Sequence, residues 1–448
     1  MNNQFVYAFQ EIVNTYGIPK YQEINPGLYA IVSFPFLFGV MFGDIGHGML
    51  LANFGLYLIY KTNKNNEREM LYRCRYLVTL MGFFAIFCGF IYNDFMSLPL
   101  NLLGSCYQNE ETNQREDENC IYKFGLDPVW LVSQNNLQFY NSFKMKLSIV
   151  LGVSQMILGI FLKGINNCLS FNLIDFFFEF LPQLFFMLST FGYMVLLIIL
   201  KWTTNFKEQN PPSLLNMMLN LGLKGGKISE NENLLIHFGI NKEGQEYFQG
   251  FLVSMAFLCV PLMLLPKPFF VYLKNKKSEH ENHEYQPLKQ NDEENLISDV
   301  QEELKKKETN NQEIHNSNHD DDFQEILVHQ VIESIEFVLG SISHTASYLR
   351  LWALSLAHSQ LAHVFFQKTL EGAIQNANAA GIVVGFLVFS GVTFGVLMCM
   401  DVMECFLHTL RLHWVEFQSK FYKADGILFK PFSFLFELEQ IQGVQYGE

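Results

Sequence analysis

The sequence predicts an all-α polytopic membrane protein with about eight transmembrane helices, the last two of them long and tilted. Half of the 448 residues are hydrophobic and 15% are aromatic, and they fall in apolar blocks separated by charged segments. Several blocks reach the ~20 residues that a helix needs to cross a bilayer. This composition is typical of a polytopic membrane protein and not of a soluble two-domain enzyme.

The apolar stretches of spanning length are easily delimited. They cover residues 31–60, 77–92, 145–162, 176–200, 248–273, 342–366 and 382–412. The first contains GDIGHG, Gly43 to Gly48, in its middle. Three glycines interleaved with Asp44 and His47 favour a break at which the chain reverses, so that this block forms two short spans.

The distribution of basic residues favours eight spans over seven. With a hairpin in the first block, one side of the membrane collects Lys61, Lys64, Arg68, Arg73, Arg75, Lys163, Lys274, Lys276, Lys277, Lys305 to Lys307, Lys420 and Lys423. The other side receives the acidic loop Asn101 to Ser142 and the loop Lys201 to Gln245. By the positive-inside rule both termini are then cytoplasmic. A single span would place the basic loops and the N-terminus on opposite sides.

Charge and apolar content divide the chain into five parts. We expect a cytoplasmic N-terminal segment (1–28), a first group of membrane helices (29–277), a disordered charged cytoplasmic linker (278–322), the long tilted helices (323–424) and a cytoplasmic tail (425–448). The net charge of -14 comes largely from two acidic loops, so it does not indicate a nucleic-acid partner.

The sequence offers no cofactor, metal or nucleotide motif. The eight cysteines show no metal-ligand spacing, and no GxxxxGK[ST] is present for ATP hydrolysis. Cys106 and Cys120 lie in one acidic loop, where they are either a disulfide, if the loop faces an oxidising lumen, or two free thiols.

Arg350 is the first functional candidate, because a guanidinium at mid-bilayer depth costs roughly 2.5–3.5 kcal/mol on insertion scales. At 100° per residue, Glu336, Ser343, Ser347 and His358 all fall within an arc of about 80° that includes Arg350. The stretch therefore predicts a polar stripe along a tilted helix beside a water-accessible path.

The last helix repeats this pattern. Asp401, Glu404, His408 and Arg411 also lie within about 80° of one another on a helical wheel. Two facing stripes, one with a fixed cation and one with carboxylates and histidine, are what a proton path requires. The arginine can draw a passing carboxylate into its deprotonated state while interrupting a continuous proton wire.

Simpler interpretations stay open for each residue. Arg350 could snorkel from a helix end, and His358 could be an ordinary helix-contact residue. The cluster from Arg411 to Glu416 could be a solvated helix end. Asp44 and His47 could be local caps at the proposed break.

Four stretches resemble subunit a of the vacuolar-type proton ATPase. They are FPFLFGVMFGDIGHG (34–48), NSFKMKLSIVLGVSQM (141–156), SHTASYLRLWALSLAHSQL (343–361) and LHTLRLHWVEFQSKFY (407–422). The resemblance implies that Arg350 is the essential arginine facing the rotating proteolipid c-ring, and that Glu336, His358 and Arg411 match polar positions of the proton half-channels. It implies as partners the other V0 subunits, the V1 ATPase sector with its peripheral stalks, and membrane lipid, in an acidified endomembrane such as the vacuole or endosome, or in the plasma membrane.

The sequence departs from that family at two points. Asp401 stands where the pattern has a glutamate ten residues before the last helix's arginine, so Asp401 or Glu404, one turn on, would take that role. The family's long cytoplasmic N-terminal domain is not matched here, which predicts a fragment, a truncated gene model or a short form. The competing functions are a stand-alone proton channel or secondary transporter, and an inactive assembly or trafficking subunit.

Overall fold

A computed structural model describes residues 4–61, 73–101, 103–107, 122–204, 212–225, 227, 242–266, 268–270, 327–375, 379–427 and 434. These residues are almost entirely helical, which confirms the all-α prediction. The helices are α1 (Gln4–Tyr16), α2 (Gly27–Phe42), α3 (Ile45–Lys61), α4 (Arg75–Tyr92), α5 (Val129–Val132), α6 (Asn136–Leu169), α7 (Leu173–Thr203), α8 (Leu214–Leu223), α9 (Lys242–Leu264), α10 (327–347), α11 (Leu349–Phe365) and α12 (Ala380–Lys420). Strands β1 (Asp94–Phe95) and β2 (Leu98–Pro99) form a small antiparallel hairpin.

Five of the described helices are long and apolar enough to cross a bilayer, namely α4, α6, α7, α9 and α12. In α12 only 11% of the most apolar 18-residue window is buried, against 50% in α4. Because this window is apolar on nearly all sides, it presents that surface to lipid or to another protein. The predicted total of eight spans, and the tilt of the last two helices, stay predictions.

The break predicted at GDIGHG is confirmed. Helix α2 ends at Phe42 and α3 begins at Ile45. Tyr92, at the end of α4, donates a hydrogen bond from its hydroxyl to the Val40 carbonyl near the end of α2, at 3.3 Å. The start of α3 meets the same end of α4, where a Cβ on Gly89 would touch the Ile45 backbone. Both short helices thus lie along α4 in opposite directions, so the chain reverses between them.

The core surrounds the helix that carries Arg350. Phe34, Phe38 and Phe42 of α2 are fully buried at intervals of four residues, which places them on one face of that helix. Phe42 packs on His358 of α11, with ring centroids 4.4 Å apart. Tyr348 is also fully buried, in a turn that separates α10 from α11. Moving an apolar side chain from lipid into a protein core gains little hydrophobic free energy, because lipid is equally apolar. Close packing of these side chains therefore holds α11 in position.

The two ends of the described chain meet beside the last helix. The Tyr422 hydroxyl donates to the Gly17 carbonyl at 2.7 Å, and Glu23 accepts from the Lys423 backbone N–H at 2.7 Å. A parallel bridge joins Ile18 to Asp425. The segment after α1 therefore anchors the C-terminal end of α12.

Two sequence-based predictions fall at the edge of the described residues. The linker at 278–322 lies outside them, as does Cys120. Cys106 is disulfide-bonded, whereas Cys74, Cys88, Cys168, Cys259, Cys399 and Cys405 are free thiols. For Cys106 the disulfide alternative is therefore correct.

Candidate functional site

Arg350 lies in the first turn of α11 and is half-buried. Its Nη1 atom is 3.4 Å from Nδ1 of His408 on α12. Two residues before it, Tyr348 interrupts the regular helix, and the Leu351 N–H reaches the Tyr348 carbonyl at 3.0 Å. The two helices predicted to face each other through polar stripes are thus in contact at Arg350.

The second contact between these helices is fully enclosed. His358 of α11 and Asp401 of α12 are buried, and Nδ1 of the imidazole pairs with Oδ2 of the carboxylate. Asp401 closes a π-helical stretch, Thr393–Asp401. Because a π-helical turn contains an extra residue, it changes which side chains face the neighbouring helix.

Asp44 and His47 lie against the same pair. Asp44 is fully buried, and its Oδ2 is 2.7 Å from Nδ1 of His47. The ring centroids of His47 and His358 are 5.3 Å apart. Asp44, His47, His358 and Asp401, hereafter the buried cluster, come from α3, α11, α12 and the break before α3.

Asp44 also caps α3, as the simpler interpretation proposed. Its Oδ1 accepts hydrogen bonds from the backbone N–H groups of Gly46 at 2.7 Å and Met96 at 3.2 Å. The first of these satisfies a helix N-terminus that would otherwise lack a partner. Asp44 and His47 thus belong both to the N-terminus of α3 and to the contact with His358. A local structural role and a place in the buried cluster are therefore compatible.

The remaining predicted residues do not join the buried cluster. Ser343 is exposed and Ser347 half-buried. Glu404 and Arg411 are exposed, with Glu404 Oε1 3.7 Å from Nε2 of His408. Helical phase alone placed these residues in shared arcs, but packing leaves them outside.

A cavity of about 190 Å³ lies on the N-terminal side of Arg350. Glu336, an exposed residue, lines it with Glu333 and His344 of α10 and with Lys163 and Lys420. A water molecule needs roughly 10–15 Å³ of such space, so this cavity has room for several. Lys163 also pairs with Glu179 at 2.5 Å.

A second, smaller cavity of about 20 Å³ lies on the C-terminal side of Arg350. Asp94, Lys144, Ser359 and His363 are among its lining residues. Lys144 is buried, and its Nζ donates to the Ser355 carbonyl at 3.1 Å. Burial raises the pKa of Asp94 to about 7, and the negative charge of Asp44 adds to this rise. Asp94 can therefore exchange a proton near neutral pH.

Sequence reasoning missed Lys144 and Asp94. Lys144 immediately precedes the apolar stretch 145–162, a position at which a lysine is common at a membrane helix end. The available signal was its place within NSFKMKLSIV, in a stretch that also carries the family resemblance. No clear signal in the sequence marks Asp94, because its burial depends on the hairpin β1–β2.

The solvated-end interpretation of the Arg411–Glu416 cluster is wrong for two of its residues. His413 and Glu416 are each 1% exposed. Nε2 of His413 is 2.8 Å from the Ser33 hydroxyl, and its Nδ1 is 3.0 Å from the Thr409 carbonyl. A π-helical stretch, Leu412–Phe417, includes both residues. Of the charged residues and histidine in this cluster, Arg411 alone is exposed, as that interpretation required.

Comparison with known proteins identifies the family. A model of the V-type ATPase 116kDa subunit family matches residues 1–434. The chain belongs to this family. It is 44% identical to V-type proton ATPase subunit a3 of Arabidopsis thaliana, over 97% of the chain and 52% of that protein. It is 40% identical to the vacuolar proton translocating ATPase 100 kDa subunit of Dictyostelium discoideum, over 96% of the chain and 52% of that protein.

The same relationship extends to animals. The chain is 38% identical to V-type proton ATPase 116 kDa subunit a 1 of Mus musculus, over 96% of the chain and 54% of that protein. The chain thus spans about half the length of the curated relatives that it matches. Family membership and the apolar helices together support the role of a V-ATPase membrane subunit.

Within the V-type ATPase family pattern, Asp401 is the departure that the structure clarifies. Aspartate is one methylene shorter than the glutamate expected there, yet Asp401 reaches the buried His358. Glu404, the alternative carboxylate, points to the exposed side of α12. Of these two carboxylates, Asp401 is the one that contacts His358 in the buried cluster.

Proposed function

We propose that this chain is the membrane stator subunit of a rotary V-type ATPase, with Arg350 separating two proton half-channels against a proteolipid ring. The observation that carries this proposal is the position of two polar cavities on opposite sides of Arg350. His344 lines one cavity six residues before Arg350, and Ser359 lines the other nine residues after it. These offsets correspond to about 9 Å and about 14 Å along a helix.

Each half-channel has titratable groups suited to its task. The wider one contains Glu333, Glu336 and His344. The narrower one contains Asp94 and His363, and through Lys144 and Ser355 it adjoins the helix that carries His358. Carboxylates and imidazoles gain and lose protons, so a hydrated chain of them conducts protons.

Arg350 blocks direct conduction between the two halves. A guanidinium stays protonated under all physiological conditions, so it does not relay protons. It does stabilise a carboxylate in its ionised form. A ring carboxylate would therefore release its proton to one half-channel on reaching Arg350 and take up another after passing it.

The outer surface of α12 supplies the contact with the ring. This helix is the least buried of the five spanning candidates, and it exposes apolar side chains such as Val383, Phe386 and Leu387. Glu404 and Arg411 are exposed on the same helix. An apolar surface with a few polar groups suits a partner that slides past without binding tightly.

The remaining parts of the proposal follow from family membership. The partners are the proteolipid c-ring and other V0 subunits, with ATP hydrolysis supplied by the V1 sector. The location is a multi-pass position in an acidified endomembrane or the plasma membrane. In this topology, cysteine labelling should find the loop at Asn113 on the lumenal side and the linker at Lys306 in the cytoplasm; the reverse result would refute the hairpin topology.

The decisive test replaces Arg350 with glutamine. Arg350→Gln should abolish ATP-driven proton uptake by membrane vesicles while the complex still assembles with its ring. Arg73→Gln is the control, because Arg73 contacts Tyr7 away from both cavities, with its guanidinium 5.5 Å from that ring. Normal acidification by Arg350→Gln vesicles would refute the proposal. Proton flux through the isolated variant chain, without the ring, would support the channel alternative.

A further inference from the structure

Glu416 is a buried carboxylate to which the proposed half-channels assign no task. It is 1% exposed and lies in the π-helical stretch Leu412–Phe417 of α12. Within the described part of the chain, neither of its carboxylate oxygens has a hydrogen-bond partner. Burying a carboxylate without hydrogen bonds is costly, and such a group in a folded protein calls for an explanation beyond packing.

Charged side chains on two sides place Glu416 between the wide cavity and Arg350. On one side, Lys420 lines the wide cavity and interacts electrostatically with both Glu336 and Glu416. On the other side, the positive charges of Arg350 and Arg411 act on the Glu416 carboxylate. Glu416 is therefore within electrostatic range of a side chain that lines the cavity and of the arginine at which the ring carboxylate would be ionised.

Two further side chains bring unpartnered polar atoms to the same region. Tyr348 is fully buried and interacts electrostatically with Glu416, and its hydroxyl has no hydrogen-bond partner among the described residues. Gln155 of α6 is 8% exposed, and both the oxygen and the nitrogen of its amide group are likewise without a partner there. Unsatisfied polar atoms thus come from α6, from α12 and from the turn between α10 and α11.

The glycines of α6 show which way Gln155 faces. A Cβ at Gly152 would touch the Tyr348 side chain, and one at Gly159 would lie 3.5 Å from Phe417. Gln155 lies between these two glycines in the chain and within about 60° of both on a helical wheel. Its amide group is therefore on the face of α6 that packs against Tyr348 and the end of α12.

Polar atoms buried in this way are the usual partners of internal water. A buried water molecule makes about three hydrogen bonds to polar groups that would otherwise be unsatisfied. Glu416 offers acceptors, while the phenol of Tyr348 and the amide of Gln155 can each donate and accept. The three side chains together can therefore hold water beside a carboxylate that is able to bind a proton.

We propose that Glu416 is a proton-relay residue between the wide cavity and the ring carboxylate at Arg350, with Tyr348 and Gln155 positioning water beside it. This inference rests on the proposed function of Arg350. A proton from water in the wide cavity forms an O–H bond with one Glu416 oxygen, and a proton then leaves Glu416 for the ionised ring carboxylate. Glu416 returns to its ionised form, so the relay consumes no proton.

His413 is the matched comparison, because it precedes Glu416 by three residues in the same π-helical stretch. It is titratable and also 1% exposed. Its two ring nitrogens, however, lie 2.8 Å from the Ser33 hydroxyl and 3.0 Å from the Thr409 carbonyl. Both nitrogens are thus engaged by the protein itself, as in a structural histidine. We infer no relay through His413.

The first experiment measures ATP-driven proton uptake by membrane vesicles, per assembled complex. Glu416→Gln preserves the size of the side chain and removes its titratable group, so we expect at least about a tenfold loss, because positioned acid–base groups typically contribute 100-fold or more. Glu416→Asp should restore most of the uptake, because aspartate titrates similarly. His413→Gln should match the wild type per assembled complex.

The outcomes separate this inference from the function on which it rests. Normal uptake by Glu416→Gln, with Arg350→Gln inactive, would overturn the relay and leave the role of Arg350 intact. An equal loss in Glu416→Gln and Glu416→Asp would also overturn the relay, because packing alone would then explain it. Normal uptake by Arg350→Gln would instead refute the proposed function.

The water beside Glu416 can be tested on the wild-type complex. Radiolysis by X-rays generates hydroxyl radicals from bound water, and mass spectrometry locates the side chains that they oxidise. Tyr348 should be oxidised despite its burial, whereas Phe38, an equally buried aromatic residue in the core of α2, should not. Equal protection of Tyr348 and Phe38 would overturn the hydrated relay, even if the Glu416 variants fail to assemble.

Discussion

Gly152 of α6 is the position where one added methyl group should disturb the Arg350 helix. A Cβ at Gly152 would lie 2.7 Å from Cβ of Tyr348 and 2.8 Å from its Cδ2. Tyr348 is fully buried, two residues before Arg350. Overpacking of this kind costs typically 1–3 kcal/mol, because neither the Tyr348 Cβ nor the α6 backbone can move without shifting its helix. We expect Gly152→Ala to destabilise the chain and to reduce proton transport.

Gly159 offers a control on the same helix. It is also buried, but a Cβ there would meet its nearest atoms at 3.5 Å, an ordinary van der Waals contact. Both substitutions gain the same helix propensity, roughly 1 kcal/mol in water, so their difference isolates the clash with Tyr348. The thermal unfolding midpoint in detergent should be lower for Gly152→Ala than for Gly159→Ala. A midpoint for Gly152→Ala equal to or above that of Gly159→Ala would refute this account of the packing.

Three further predictions follow. Asp401→Asn should lower ATP-driven proton uptake at least tenfold, and Glu404→Gln less than twofold, because only Asp401 pairs with buried His358; a larger effect at Glu404 would reverse this assignment. Lys163→Met should destabilise the chain by about 1.5–3 kcal/mol, because it removes the charged hydrogen bond between Lys163 and Glu179. Adding Glu179→Gln should recover part of that loss in denaturation measurements; simple additivity would contradict it. Burial, together with nearby acidic and tyrosine side chains, raises the pKa of Tyr422 from 10.0 to about 12. The stabilisation by its protonated phenol is therefore complete below pH 10 and lost as pH rises towards 12. In pH-dependent unfolding measurements, Tyr422→Phe should lack this loss.

The sequence predicted the local structure well because its signals are local. Hydropathy delimited the apolar helices, and the glycines around Asp44 predicted the break between α2 and α3. The stretch around Arg350 was informative because a charge within an apolar helix is costly. For Cys106 the sequence left a disulfide and a free thiol as alternatives, and only the structure decided between them.

Helical phase was a weaker guide to the site. It assigned Glu404 and Arg411 to one stripe with Asp401, but these two residues are exposed and Asp401 is buried. Val402–Arg411 is a regular α-helix, so the shared arc holds, but neighbouring helices cover Asp401 and leave Glu404 and Arg411 exposed. A helical wheel shows which residues share a face and does not show how far along the helix that face is covered.

The sequence by itself predicted the apolar helices and the reversal at Gly43–Asp44, and it singled out Arg350 as a charge within an apolar stretch. Only the tertiary structure brought Asp44 and His47 against His358, more than 300 positions later in the chain, and placed Lys144 and Asp94 in one cavity. The physical reason is that hydropathy and periodicity describe each helix relative to its own axis. Which polar groups meet depends on how closely packed helices are rotated against one another, and that is set by contacts between residues remote in sequence.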